Sequence, residues 1–315
     1  MVQRSNKGAV TFVRTGSVAS HRRDRIGIIS AVRSAIGSRD LSAAEHLARA
    51  YRDANGPTPE ALEAFSWVAR GALTMHRIAE AAKLARQTRL MSIRLLGRTK
   101  LDAEPHLAAA LGTSIEVLAQ AMAMQGHRAQ AVHFLNSELA GFNASPIHTR
   151  IRKNLNLLTM EGKPAPDLDI REWLGRKPPA LDTLRGSAVL LFFWAHYCED
   201  SRAQGRVLVR IRDGFDRRGL QLIGPTRRYG YLDEYSKRPA SSRREVQHIK
   251  QTLSEFYSDL SGMFIPLSGV NFDVYGVSTT PTLVLIDRGG IVRCYHPGRI
   301  SGRDLTARLR DLLKS

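Results

Sequence analysis

The hydrophobic period of this chain changes at one place, and the change divides it. Before Glu161-Gly162-Lys163-Pro164-Ala165-Pro166-Asp167, apolar residues recur at helical spacing; after it they gather into short continuous runs. One glycine and two prolines in that heptapeptide stop a helix and keep the backbone extended. The chain therefore reads as a helical region over residues 41–160 and a second unit over 162–315.

Within the first region, Thr58-Pro59-Glu60 predicts a helix start, with Thr58 as cap and Pro59 in the first turn. Ala61, Leu62, Phe65, Val68, Ala69 and Ala72 follow at helical spacing. Breaks at Met75–Arg77 and Gln125–His127 each separate two such stretches. The turns at His76 and Gly126 lie 50 residues apart. That is longer than the ~34-residue tetratricopeptide repeat, so the expectation is irregular, TPR-like helical hairpins. They would serve as a packing module or, alternatively, as a partner-binding groove. Ahead of them, residues 1–40 hold eight basic side chains against Asp24 and Asp40, with little apolar periodicity, and read as a basic, disordered tail.

In the second unit Val189–Trp194 is a continuous apolar run, as a central strand covered on both faces requires. Leu220–Gly224 is a second strand. A polar insertion at Tyr229–Arg244 precedes a helix over Val246–Leu260. Leu283–Ile286 and Ile291–Tyr295 flank Asp287-Arg288-Gly289-Gly290, a hairpin signal, and Asp304–Leu313 closes as an amphipathic helix. This alternation implies an α/β unit with a mixed central sheet.

The 315 residues carry a net charge of +18, which favours acidic partners in general. The excess is spread along the chain without basic–aromatic interleaving, so a nucleic-acid partner is not indicated. The two cysteines, Cys198 and Cys294, match no zinc spacing and no disulfide framework, and no metal or other cofactor is expected. Cys294 reads as a small buried hydrophobe. No apolar run reaches the ~20 residues of a membrane span, and no secretory core stands near the start. Read literally, that places the chain in the cytoplasm.

The segment Val189–Arg202, VLLFFWAHYCEDSR, puts Cys198 where a strand turns into a helix. Together with Gly162-Lys163-Pro164-Ala165-Pro166, Tyr275-Gly276-Val277-Ser278-Thr279-Thr280-Pro281-Thr282 and the hairpin, it resembles the thioredoxin-like fold, specifically the TlpA/ResA type of redoxin. The resemblance covers about residues 162–315, and the helical region before it resembles the helical hairpins that precede this domain in some bacterial redoxins. It implies a nucleophilic role for Cys198 at a helix N-terminus, where the helix dipole favours a thiolate. It implies a cis peptide at Thr280-Pro281 facing the sulfur, an aromatic wall from Trp194 and Tyr197, and an exported location.

The departures are as informative. Ser201 stands where the family has a resolving cysteine, Phe192 where thioredoxins bury an aspartate, and Gln204 where this type has a glutamate. Glu199 and Asp200 place like charge beside a thiolate, which a protonated His196, expected at the surface, would offset. Peroxiredoxin chemistry is disfavoured, because no proline or threonine lies in Leu190–Tyr197. Two functions follow. One is a monothiol thiol-disulfide oxidoreductase, using Cys198 and Ser201 on a disulfide- or thiol-containing protein, with an external thiol or reductase as electron donor. The other is a redox-degenerate domain kept for peptide binding.

Overall fold

The computed structural model describes residues 27–97, 100–212, 219–233, 238–260 and 262–314. Seven helices form the first region: α1 (Ile28–Gly37), α2 (Leu41–Asn55), α3 (Pro59–Thr74), α4 (Ile78–Leu96), α5 (Pro105–Met124), α6 (Arg128–Gly141) and α7 (His148–Thr159). Thr58 caps α3 by accepting from the Ala61 N–H at 3.2 Å, with Pro59 in the first turn. The turns expected at residues 75–77 and 125–127 are present, with His76 and Gly126 at φ 59° and 85°. One expectation is corrected: the stretch read as a tail contains α1, whose Val32 is buried and whose Ile36 packs on Gly71 of α3. The rest of that stretch, residues 1–26, lies outside the described residues.

Helix α5 runs through the middle of the bundle, against α3, α4, α6 and α7. It is 20 residues long, and an 18-residue stretch of it has a mean hydropathy of 1.4, long and apolar enough to cross a bilayer, contrary to the expectation that no run reaches that length. Two-thirds of it is buried within the bundle.

Near its centre Glu116 accepts from Arg70 (2.5 Å), Arg150 (3.0 Å) and Lys153 (3.0 Å), joining α3, α5 and α7. Burial pushes its carboxyl up, but the charges of Arg150, Lys153 and Arg70 outweigh burial and bring it down to about 2. A carboxyl depressed in the fold stabilises it fully above the unfolded value. That stabilisation is lost as pH falls from about 4.5 to about 2. Denaturant titrations across this window are expected to show stability falling with pH in the wild type, and a shallower fall in Glu116→Gln. Parallel acid limbs would count against the network.

The second unit begins where α7 ends. Its main sheet has the order β3 (Leu220–Ile223), β2 (Ala188–Phe193), β5 (Thr282–Ile286), β6 (Val292–Pro297). The β2–β3 pair is parallel and the other two pairs are antiparallel. A two-stranded sheet pairs β1 (Trp173–Leu174) with β4 (Ile265–Pro266). Because side chains alternate across a strand, Leu190 and Phe192 enter one core with α8 (Glu199–Arg212), α9 (Ser242–Phe256) and α11 (Gly302–Lys314). Leu191 and Phe193 enter the opposite core with α10 (Gly269–Val274). The strand with no polar face, β2, is thus the one between two layers.

The two units meet at α7. Asn156 donates to the Tyr275 carbonyl at 2.9 Å, and Thr149 donates to Asp273 at 2.9 Å. Gly276 lies so near the α7 backbone that a Cβ there would sit 2.7 Å from Lys153 N.

Candidate functional site

Leaving the sheet, β2 carries the chain past Trp194 to Cys198, the residue before α8. The turn is held by the Cys198 N–H donating to the Ala195 carbonyl and the Arg202 N–H donating to the Cys198 carbonyl, each 3.2 Å. Cys198 is partly exposed. Its Sγ donates to the Thr280 carbonyl at 3.2 Å, and Thr280-Pro281 is a cis peptide. Two segments 82 residues apart are thereby brought to one sulfur. Beside it opens a cleft of about 540 Å3, lined by Tyr197, Cys198, Glu199, Asp200, Arg202 and His248 among others.

Of the residues expected here, Cys198, Tyr197, Thr280 and Pro281 come together at the cleft or at the sulfur. Trp194 does not line it, which corrects the expectation of a binding wall there: it is fully buried. Its indole N–H donates to the Gly224 carbonyl at 3.0 Å, and its ring meets Tyr257 at 4.9 Å. An indole with one polar atom, already satisfied by backbone, is accommodated in the core. Ser201 is also fully buried, its Oγ at the long distance of 3.5 Å from the Ala195 N–H. The hydrogen bond that Sγ makes runs to Thr280 rather than to Ser201.

His196 departs furthest from expectation. It is not at the surface but fully buried, ringed by Tyr197, Tyr229 and His248. Its Nε2 lies 2.9 Å from the Tyr231 carbonyl; since a carbonyl only accepts, Nε2 carries the proton. Nδ1 is buried without a partner, and burial pushes the imidazole below its usual range. The ring is therefore neutral near pH 7 and supplies no charge to offset Glu199 and Asp200.

Phe192 packs in the core edge-on to Tyr257 at 5.9 Å. Gln204 is fully buried and accepts from the Ile300 N–H at 2.9 Å, tying α8 to the segment before α11. Cys294 is buried on β6 opposite Leu285, where burial pushes its thiol up. Three further residues belong to this neighbourhood. Tyr229 and Tyr231 cover Tyr197 and His196, on a loop held by buried Glu245, which accepts from the Tyr229 and Gly230 N–H groups. Tyr257 lies across Gly205 of α8, its hydroxyl buried. Burial, reinforced by the nearby Cys198, raises the Tyr257 phenol above its ordinary value.

No protein-family model matches the chain. Thioredoxin-like protein YneN of Bacillus subtilis (strain 168) is 24% identical over 150 residues, covering 47% of this chain and 78% of that protein. Among solved structures, a thiol-disulfide isomerase from Corynebacterium glutamicum is 20% identical with a TM-score of 0.38, covering 49% of this chain and 98% of its own. A thiol:disulfide interchange protein from Chlorobium tepidum is 17% identical with a TM-score of 0.37, covering 48% and 96%. The parallel β2–α8–β3 crossover, the antiparallel β5–β6 hairpin, the cis-proline turn and the likeness to YneN agree: over its C-terminal half this chain has a thioredoxin-like fold.

Proposed function

We propose that the C-terminal unit is a thiol-disulfide oxidoreductase of the TlpA/ResA kind that works with one thiol. The observation that supports this reading best is the partly exposed Cys198, its Sγ held 3.2 Å from the Thr280 carbonyl beside cis-Pro281 and open to a cleft. In the reaction, the Cys198 thiolate attacks one sulfur of a substrate disulfide. The new S–S bond joins Cys198 to the substrate, and the second substrate sulfur leaves as a thiolate that takes up a proton. An external thiolate then attacks the Cys198 sulfur of the mixed disulfide, which releases the reduced substrate and leaves the external thiol bonded to Cys198. A second external thiolate attacks that external sulfur, restores the Cys198 thiolate and leaves as an external disulfide. Each step exchanges one S–S bond for another, so electrons balance between substrate and external thiol. An extended substrate can pair with the backbone at Thr280.

The test is release of glutathione from a glutathionylated protein, together with trapping of mixed disulfides, in wild type and Cys198→Ser. Turnover and trapping that disappear with Cys198 support the reading. Equal release by both proteins, or capture of the same proteins without Cys198, would favour the alternative of a binding module.

A further inference from the structure

A second cleft, of about 400 Å3, lies where α7 meets the Gly162–Pro166 linker and α10. It is separate from the cleft beside Cys198 and shares none of its lining residues. Arg152 of α7 and Lys163 of the linker both line it, together with His148 and Asp273. Among the described residues Asp273 is the only carboxylate in the lining, and it already accepts from Thr149 at 2.9 Å. Among the described residues, neither Arg152 nor Lys163 makes an ion pair.

The Arg152 stem is packed and the Lys163 backbone is anchored, with the Lys163 side chain exposed. The Arg152 stem lies against Gly276, where even a Cβ would stand 3.0 Å from its Cγ. The Lys163 backbone is fixed on both sides: its N–H donates to Met160 at 3.2 Å, and its carbonyl accepts from Val292 at 2.9 Å. The Arg152 Nε is buried and has no hydrogen-bond partner. A buried guanidinium N–H without an acceptor is destabilising, and Arg in particular presents a fork of donors matched to oxyanions. His148, pushed down by burial and then by the Arg152 charge, adds no third positive charge but can accept or donate. The remaining wall, Met160, Pro164, Pro166 and Val274, is apolar, as small-ligand pockets at domain junctions tend to be.

We propose that this junction cleft binds a small oxyanion of the phosphate class, with Arg152 and Lys163 as its charged donors. The inference stands apart from the thiol chemistry, and neither depends on the other. The ligand bridges the helical region and the thioredoxin-like unit, since each contributes one of the two cations.

Calorimetric titration of the full chain with inorganic phosphate, against chloride at matched ionic strength, tests it. O-phosphoserine in a parallel titration separates a free ion from a phosphate ester, the tighter of the two naming the source. Saturable binding is expected, about tenfold or more weaker in Arg152→Gln and in Lys163→Gln, and unchanged in Lys83→Gln, which removes an exposed cation on α4. Absence of saturable binding by either phosphate compound, or equal weakening by Lys83→Gln, would overturn the proposal. If Arg152→Gln does not fold, Lys163→Gln decides alone, because Lys163 is exposed and its backbone contacts survive the change.

Discussion

Replacing Ser201 with cysteine is expected to turn a thiol that needs an outside partner into one that completes its own cycle. Residue 201 sits in the first turn of α8, three positions after Cys198 and on the same face of the helix. It is fully buried, so a thiol there would be shielded from bulk solvent until Cys198 is engaged. The rate argument is one of concentration. An external thiol at millimolar levels must find the mixed disulfide by collision, whereas a thiol three residues away is always present. Well-oriented intramolecular reactions reach effective concentrations of roughly 10⁵ M or more, so a gain of only about a hundredfold is a modest expectation. Insulin reduction under limiting external thiol is the measurement, with Cys198→Ser in the Ser201→Cys background as the baseline. Mass spectrometry of the oxidised variant should show a bond between residues 198 and 201, while Cys294, buried on β6, stays free. A variant that forms that bond yet turns over no faster would mean the site has lost more than a sulfur. Phe192 and Gln204 are then the residues to examine, since neither side chain ionises to shuttle a proton and the Gln204 oxygen already accepts from the Ile300 N–H.

What the sequence made legible about this site was its local part. A continuous apolar strand, a cysteine at the following helix start and, 82 residues on, a Thr-Pro pair before another apolar strand are patterns that each span only a few residues. The structure places them as those patterns imply. What the sequence did not reveal depends on partners far along the chain. Trp194 reads as a wall of the site until Tyr257 and the Gly224 carbonyl, both distant in sequence, enclose it. His196 reads as a surface residue until the loop carrying Tyr229 and Tyr231 folds over it, anchored by Glu245. That loop is polar in composition, and nothing in its spacing marks its tyrosines as neighbours of Cys198. In the helical region, turn positions were legible because left-handed residues and their flanks are local. The burial of Glu116 among Arg70, Arg150 and Lys153 was not, because the four come from three helices. Helix α1 did carry a local signal, with Ile28, Val32 and Ile36 four residues apart, but it stands in a strongly basic stretch, and the burial of that face depends on α3.

Gly276→Ala is expected to be the most destabilising single-methyl change in the junction, and its companion Gly126→Ala shows why. Both glycines end helices in the same way. The N–H of the glycine bonds three residues back, and the next N–H bonds to a residue five before it: Asp273 and Phe272 at one turn, Ala123 and Met122 at the other. Both have left-handed φ, 63° and 85°. Arg39 and His76 complete the same hydrogen-bonded turn with side chains at φ 60° and 59°, so the turn itself tolerates a Cβ at the ordinary cost of about 1 kcal/mol. Around Gly126 there is open space, and Gly126→Ala should cost no more than that. At Gly276 the new Cβ would lie 2.7 Å from Lys153 N and 2.8 Å from the Arg152 carbonyl carbon. These are backbone atoms of a helix and cannot rotate aside, so α7 must move away from the turn. The movement strains the Asn156–Tyr275 bond and adds about 2 kcal/mol to the conformational term, for a total of roughly 3 kcal/mol. Denaturant midpoints of the two variants measure the difference. Equal losses for Gly276→Ala and Gly126→Ala would show that α7 does not press on this turn, and that the helical region and the thioredoxin-like unit are joined by the linker alone.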